Sequence, residues 1–234
     1  MELTPDNTAI FEVLGIAVNA TILNTWIIMA VLTGAAALIT RNLRPDVPPN
    51  RWRTTLEVIV NTIVGQIAEI TGNRDPRILY FSGTLFVFII TANLLTVVPG
   101  FDTPTASLST TAALALSVLI AVPLFGIGSR GIGGYLKTYI EPSFVMLPFN
   151  IISEFSRGIS LAIRLYGNIM SGAVIGAILL GVAPFFFPVV MDMLGLLTGV
   201  IQAYIFAILA TVYISSATAA APPGATPKTE KDTS

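Results

Sequence analysis

Five stretches of the chain carry no charged side chain: Val13–Thr40, Ile78–Phe101, Thr103–Ser129, Leu165–Met191 and Met193–Pro227. The hydrocarbon core of a bilayer is about 30 Å thick, so a spanning helix needs about 20 apolar residues. Every one of these intervals is long enough. Between the second and third lies Pro99-Gly100-Phe101-Asp102-Thr103-Pro104, a turn signal that reads as the tip of a helical hairpin. At Pro184-Phe185-Phe186-Phe187-Pro188 the chain turns again, one proline ending a helix and the other starting the next. The pattern predicts an all-α polytopic membrane protein of about five long hydrophobic helices, in a single membrane domain over residues 1–218. No internal repeat is evident.

Two flanking regions have different patterns. Residues 51–73 place Leu56, Ile59, Val60, Ile63, Val64, Ile67 and Ile70 at helical spacing, with Glu57, Asn61, Gln66 and Glu69 elsewhere around the helix. This predicts an amphipathic helix lying on the cytoplasmic surface or packing there on a partner, with an ordinary packed helix in a long loop as the equal alternative. The end of the chain, 219–234, reads as a disordered tail.

From Pro142 to about Gly181 the only break signal is Pro148, a candidate kink. A helix of that length spans about 60 Å at 1.5 Å per residue, roughly twice the bilayer core. The last segment, Val189 to about Thr218, is also over-long. Both are expected to cross the membrane strongly tilted, as a pair over residues 142–218.

Composition narrows the function. Of 234 residues 54% are hydrophobic and 11% charged, with 12 Lys+Arg against 13 Asp+Glu. No basic excess exists to hold nucleic acid. Histidine and cysteine are absent, which excludes disulfides, imidazole or thiolate metal sites and the usual nucleophile–base triads. No metal site, catalytic residue or covalently bound cofactor is expected. Arg41, Arg44, Arg51, Arg53, Arg74 and Arg77 precede the second span, Arg130 and Lys137 follow the third, and Lys228 and Lys231 lie in the tail. Segments 1–21, 99–107 and 181–188 hold no basic residue. By the positive-inside rule the first set faces the cytoplasm, with the N-terminus, which has no cleavable signal, outside and the C-terminus inside.

Two arginines, Arg157 and Arg164, fall within the long helix predicted from Pro142 to about Gly181. At about 100° per residue, Asn150, Ser153, Arg157, Ser160, Arg164, Asn168 and Ser171 share a stripe about 80° wide, and Glu154 stands beside it. Ile152, Ile159, Leu161, Ile163, Leu165 and Ile169 take the rest of the circumference. An arginine at the centre of a membrane helix costs at least about 2.5–3.5 kcal/mol to insert and marks an ion or substrate path. The bland alternative is an internal ion pair of Arg157 or Arg164 with Glu154 or Asp192. On the last helix Asp192, Gly195, Gly199, Gln202 and Ala203 share a broad side, and Gln202 and Tyr213 lie close in angle.

These residues carry a resemblance. Ser153-Glu154-Phe155-Ser156-Arg157, the run Ser160-Leu161-Ala162-Ile163-Arg164-Leu165-Tyr166-Gly167-Asn168-Ile169, and Ile201-Gln202-Ala203-Tyr204-Ile205-Phe206 resemble the two signatures of subunit a of F-type rotary ATP synthases. The likeness covers residues 10–218, and the Pro148-Phe149-Asn150 region looks like the bacterial branch called N-type.

The resemblance implies a stator subunit of the membrane sector in a bacterial cytoplasmic membrane, not catalytic alone. Two half-channels would pass H⁺ or Na⁺ to and from a rotating c-ring, with peripheral-stalk b subunits and other membrane-sector subunits as neighbours. By matching position Arg164 is the arginine between the half-channels, with Asn168, Gln202 and Ser160 near it. Arg157 and Tyr213 are further candidates at the half-channels or the interface with the ring. Many relatives carry a carboxylate or histidine where Ala173 stands, and a histidine or glutamate where Gly195 stands. Asp192 is therefore the expected carboxylate of the outer half-channel and Glu154 of the inner, and the lack of histidine favours Na⁺ over a proton relay. Two other readings are a secondary transporter using Arg164 as an anion clamp and a passive membrane scaffold.

Overall fold

The computed structural model describes residues 9–13, 16–40, 76–98, 101, 103–140, 144–182 and 187–218, together with Thr54 and positions 57–58, 61–62, 65–66 and 68–69. Five helices are long and apolar enough to cross a membrane: α1 (Ala20–Thr40), α2 (Pro76–Leu94), α3 (Leu108–Ile140), α4 (Met146–Val182) and α5 (Phe187–Thr218). The membrane part is all-helical, as expected. Ahead of it β1 (Ala9–Val13) and β2 (Ile16–Asn19) pair as a short antiparallel ribbon. The apolar run that starts at Val13 is thus divided, its first residues being strand and its helix starting at Ala20.

The helix lengths follow the pattern closely. At 1.5 Å per residue the 37 residues of α4 extend about 55 Å and the 32 of α5 about 48 Å. Both exceed a core of about 30 Å and are longer than an upright crossing needs. Because α4 begins at Met146, Pro148 lies in its first turn, where a missing N–H breaks no helical bond. Pro123, inside α3, has no such shelter.

In the amphipathic segment the described residues between 54 and 69 are all helical, and Glu57, Asn61, Gln66 and Glu69 are exposed. The seven apolar positions named there, Leu56, Ile59, Val60, Ile63, Val64, Ile67 and Ile70, lie outside the described residues. So do the tail 219–234, the turn residues Pro99, Gly100, Asp102 and 183–186, and the basic residues Arg41, Arg44, Arg51, Arg53, Arg74, Lys228 and Lys231.

Packing centres on α2 and α5, with α3 against α4 and α5 closing the bundle. Gly199, Ala203, Ala207 and Ala210 recur at three- and four-residue spacing on the buried side of α5, so bulky side chains of other helices can approach it. Leu85, Phe86 and Ile89 of α2, Val118 of α3, and Leu161 and Leu165 of α4 share one cluster with Ala203, Ala207 and Ala210. α1 joins it chiefly through Ile28. The helices differ sharply in how much of each is covered. A third of the α3 and α5 spans is buried (33% each), but only 6% of the α4 span Met146–Gly181.

The connection between α2 and α3 is more than a surface turn. Short 3₁₀ turns at Leu95–Val97 and Pro104–Ala106 fold it inward, and Thr103, Thr105 and Ser107 are buried. Its hydroxyls find partners inside the bundle: Thr96 and Thr103 share a hydrogen bond of 2.8 Å, and Thr105 Oγ1 donates to Asn93 Oδ1 at 2.8 Å. Buried polar groups of this kind persist only when paired.

Candidate functional site

The fold divides the circumference of α4 into two unlike faces. Leu161 and Leu165 are almost fully buried against the bundle. Ile152, Phe155, Ile159 and Ile163 are instead between 56% and 62% exposed. The apolar residues flanking the polar stripe therefore do two jobs, one set packing on this chain and the other left open. Along the border run Arg157, Ser160 and Arg164, all exposed, while Asn150, Glu154 and Asn168 are half-buried toward the bundle.

Arg164 has one hydrogen bond, from Nη2 to Ser160 Oγ one turn away, at a long 3.5 Å. Its other donors have no protein acceptor among the described residues. The internal ion pair considered from sequence is not formed. Arg157 instead lies over the ring of Tyr213, its Cζ 5.2 Å from the centroid, a cation–π contact joining α4 to α5. Asp192 is exposed in the second turn of α5 and pairs with neither arginine.

Glu154 has a separate environment. With Asn150, Ser153, Arg157, Tyr213 and Ser216 it lines a cavity of about 190 Å³ between α3, α4 and α5. Tyr139, at the end of α3, donates its hydroxyl to Glu154 Oε2, while Oε1 is buried without a partner among the described residues. Tyr139 lies past the apolar span Leu108–Lys137, and its hydroxyl pKa is raised, first by burial and then by this bond. It therefore stays a donor.

Gln202 is buried at 6% exposure, and its Nε2 has no hydrogen-bond partner among the described residues. One turn earlier, Gly199 receives Asn93 of α2. Asn93 Nδ2 donates to the Gly199 carbonyl at 2.8 Å, and a Cβ on Gly199 would stand 3.0 Å from Asn93 Cβ. Thus Tyr213 joins Glu154 and Arg157 at one cavity, Ser160 joins Arg164 on the open border, and Asp192 joins neither. Asn93, Thr105, Tyr135 and Tyr139 were not singled out by pattern. The only sequence signal for Asn93 was a lone amide in an otherwise apolar helix.

The fold is a helical membrane bundle whose longest helix leaves a guanidinium beside an open apolar face. The chain matches the family described as ATP synthase A chain across residues 22–215. It is 56% identical over 219 residues to ATP synthase subunit a 2 of Picosynechococcus sp., covering 93% of each chain. To ATP synthase subunit a of Albidiferax ferrireducens it is also 56% identical over 219 residues, covering 93% of this chain and 94% of the relative. To ATP synthase subunit a 1 of Prosthecochloris aestuarii it is 54% identical over 218 residues, covering 93% and 98%. The chain belongs to the ATP synthase A chain family, and is a multi-pass membrane protein.

Proposed function

We propose that this chain is the stator subunit of a rotary ATP synthase membrane sector, passing H⁺ or Na⁺ to and from a rotating c-ring and so coupling ion flow to ATP synthesis or hydrolysis. The observation that carries this reading is Arg164, exposed and unpaired beside the open face of Ile152, Phe155, Ile159 and Ile163. A guanidinium stays protonated throughout the accessible pH range. It therefore acts as a fixed cation that attracts an ion-free carboxylate on a partner and repels an ion moving straight through. The open apolar face beside it fits a second membrane helix with the carboxylate at matching depth.

The two half-channels would lie on either side of Arg164. The cavity at Glu154, close to Tyr139 and Lys137 at the end of α3, is the candidate for the inner one; Asp192, in the first turns of α5, is assigned to the outer. The distribution of basic residues supports the N-terminus outside and the C-terminus in the cytoplasm; a bacterial cytoplasmic membrane is what the resemblance implies. Peripheral-stalk b subunits are the further expected neighbours. The anion-clamp reading has less behind it, because the cation lining the Glu154 cavity is Arg157 and not Arg164.

The test is Arg164→Gln in the assembled ATP synthase, with ATP-driven ion uptake measured in inverted vesicles. The expected outcome is normal assembly with coupled uptake reduced at least about a hundredfold, the scale of a lost charge contact in a low-dielectric site. Coupled uptake at the wild-type level would overturn the proposal. Titrating Na⁺ against ATP hydrolysis then separates the two ions, since only a Na⁺ path shows activation at low Na⁺.

A further inference from the structure

The helix α3 changes direction before it ends. Gly131 has φ 74° and ψ 164°, a conformation essentially restricted to glycine, so residues 132–140 leave the axis of the preceding span. The redirected segment lays the Tyr135 ring against Gly126, where a Cβ would stand 2.5 Å from the ring edge. It also carries Tyr139 to α4. There Tyr139 is held at three points: its hydroxyl donates to Glu154 Oε2, it shares a hydrogen bond of 2.7 Å with the Tyr135 hydroxyl, and its carbonyl accepts from Asn150 Nδ2 at 3.0 Å.

The result is a carboxylate held on one side only. Glu154 Oε1 is buried with no partner among the described residues, a costly state for a carboxylate oxygen. The cation nearest along its own helix, Arg157, would ordinarily relieve it. That guanidinium is engaged over Tyr213 and forms no ion pair with Glu154. The groups that face Glu154 across the cavity are Tyr135 and Tyr139 from α3, Arg157 from α4 and Tyr213 from α5.

We propose that Tyr139 is a positioning residue for ion transfer: it clamps Oε2 of Glu154 so that Oε1 is left to take the transported monovalent cation from the cavity. This rests on Glu154 belonging to the inner half-channel. The cation, H⁺ or Na⁺, associates with Oε1 and leaves from it, and Tyr139 keeps its own proton throughout. A hydrogen bond donated to an ionised carboxylate stabilises the cation-free form, so it also keeps the site from holding its ion too tightly.

The test uses the assembled ATP synthase in inverted vesicles, with ATP-driven uptake followed against the concentration of the transported cation on the cytoplasmic face, as pH for H⁺ or as Na⁺. Tyr139→Phe keeps the ring and removes the bond donated to Glu154 together with the one shared with Tyr135. It is expected to lower the half-saturating cation concentration by about tenfold, the scale of one lost charge-assisted hydrogen bond. Glu154→Asp withdraws the carboxylate from the reach of Tyr139, so Tyr139→Phe added to it should produce no further shift. An unchanged half-saturation in Tyr139→Phe, or a shift of equal size in the Glu154→Asp background, overturns the assignment. Coupled uptake retained in Arg164→Gln overturns the functional reading and this inference with it, an outcome separate from either Tyr139 result.

Discussion

The polar contact between α2 and α5 gives the sharpest test of the fold around Gln202. Asn93 is 2% exposed and makes two hydrogen bonds of 2.8 Å, one to the Gly199 carbonyl and one from Thr105. Polar contacts between membrane helices average about 0.6 kcal/mol and reach about 1.7 kcal/mol. Two of them are worth about 1–3 kcal/mol. Replacing Asn93 by Leu keeps the branched shape but leaves the Thr105 hydroxyl, itself fully buried, without an acceptor. That orphan adds about 1 kcal/mol or more. Asn93→Leu should therefore lose about 2–4 kcal/mol, and Asn93→Ala somewhat more because a void is added.

Thr105→Val separates the bond from the packing. Alone it leaves Asn93 Oδ1 unpaired. Combined with Asn93→Leu it removes both partners, and such pairs of apolar replacements are close to neutral. The double variant should thus be more stable than the sum of the two single losses requires, by about 1 kcal/mol or more. The assay is unfolding of the full chain in mixed micelles by titration with SDS, followed by far-ultraviolet circular dichroism. An Asn93→Leu chain within about 0.5 kcal/mol of wild type, or strictly additive losses in the double variant, would refute the pairing as a source of stability.

Three more variants test the same geometry. Gly131→Ala forces a Cβ into a backbone region that costs of order 1–3 kcal/mol, so it should lower stability by about that amount in the same titration and mimic Tyr139→Phe in the uptake assay by displacing the redirected segment. Gln202→Leu removes a buried donor that has no partner among the described residues; stability should hold or rise by up to about 1 kcal/mol while coupled uptake falls, whereas a Gln held only for packing would show a stability loss and normal uptake. Arg157→Leu loses the contact over Tyr213, expected to cost about 0.5–1 kcal/mol in the titration because Arg157 is exposed; a loss above about 3 kcal/mol would mean that the guanidinium has a partner other than the ring.

The charge-free runs were enough to read the five spans, and the angular spacing of Asn150 through Ser171 was enough to find the polar stripe on α4. Two things escaped that reasoning. Periodicity tells which residues share a side but not what that side meets. Leu161 and Ile163 look alike in sequence, yet one is buried against α2, α3 and α5 while the other is exposed. The same limit hid Tyr139, whose value lies in reaching Glu154 fifteen residues away after a turn at Gly131. The ion-pair alternative failed for a second reason. Arg157 had both a carboxylate and an aromatic ring at helical or interhelical reach, and only the packed bundle decides which one it takes. The short ribbon at Ala9–Asn19 was hidden by its continuity with an apolar run long enough to be helix throughout.

The isolation of Arg164 within its own chain has a mechanical consequence on the proposed reading. Breaking a buried ion pair by removing one partner costs about 3–5 kcal/mol. An arginine locked to a carboxylate of its own chain would have to meet that cost each time a carboxylate on the rotor approached it. The single bond to Ser160, at 3.5 Å, is weak enough to be exchanged without such a barrier. Arginine offers five donors in a rigid fork, so most of its hydrogen-bonding capacity is free for successive carboxylates. Insertion of an uncompensated arginine remains unfavourable by at least about 2.5–3.5 kcal/mol, and that energy is recovered only when an acidic partner is present. The chain thus keeps its cation unsatisfied by itself, so that contact with the moving partner is favourable at each step and permanent at none.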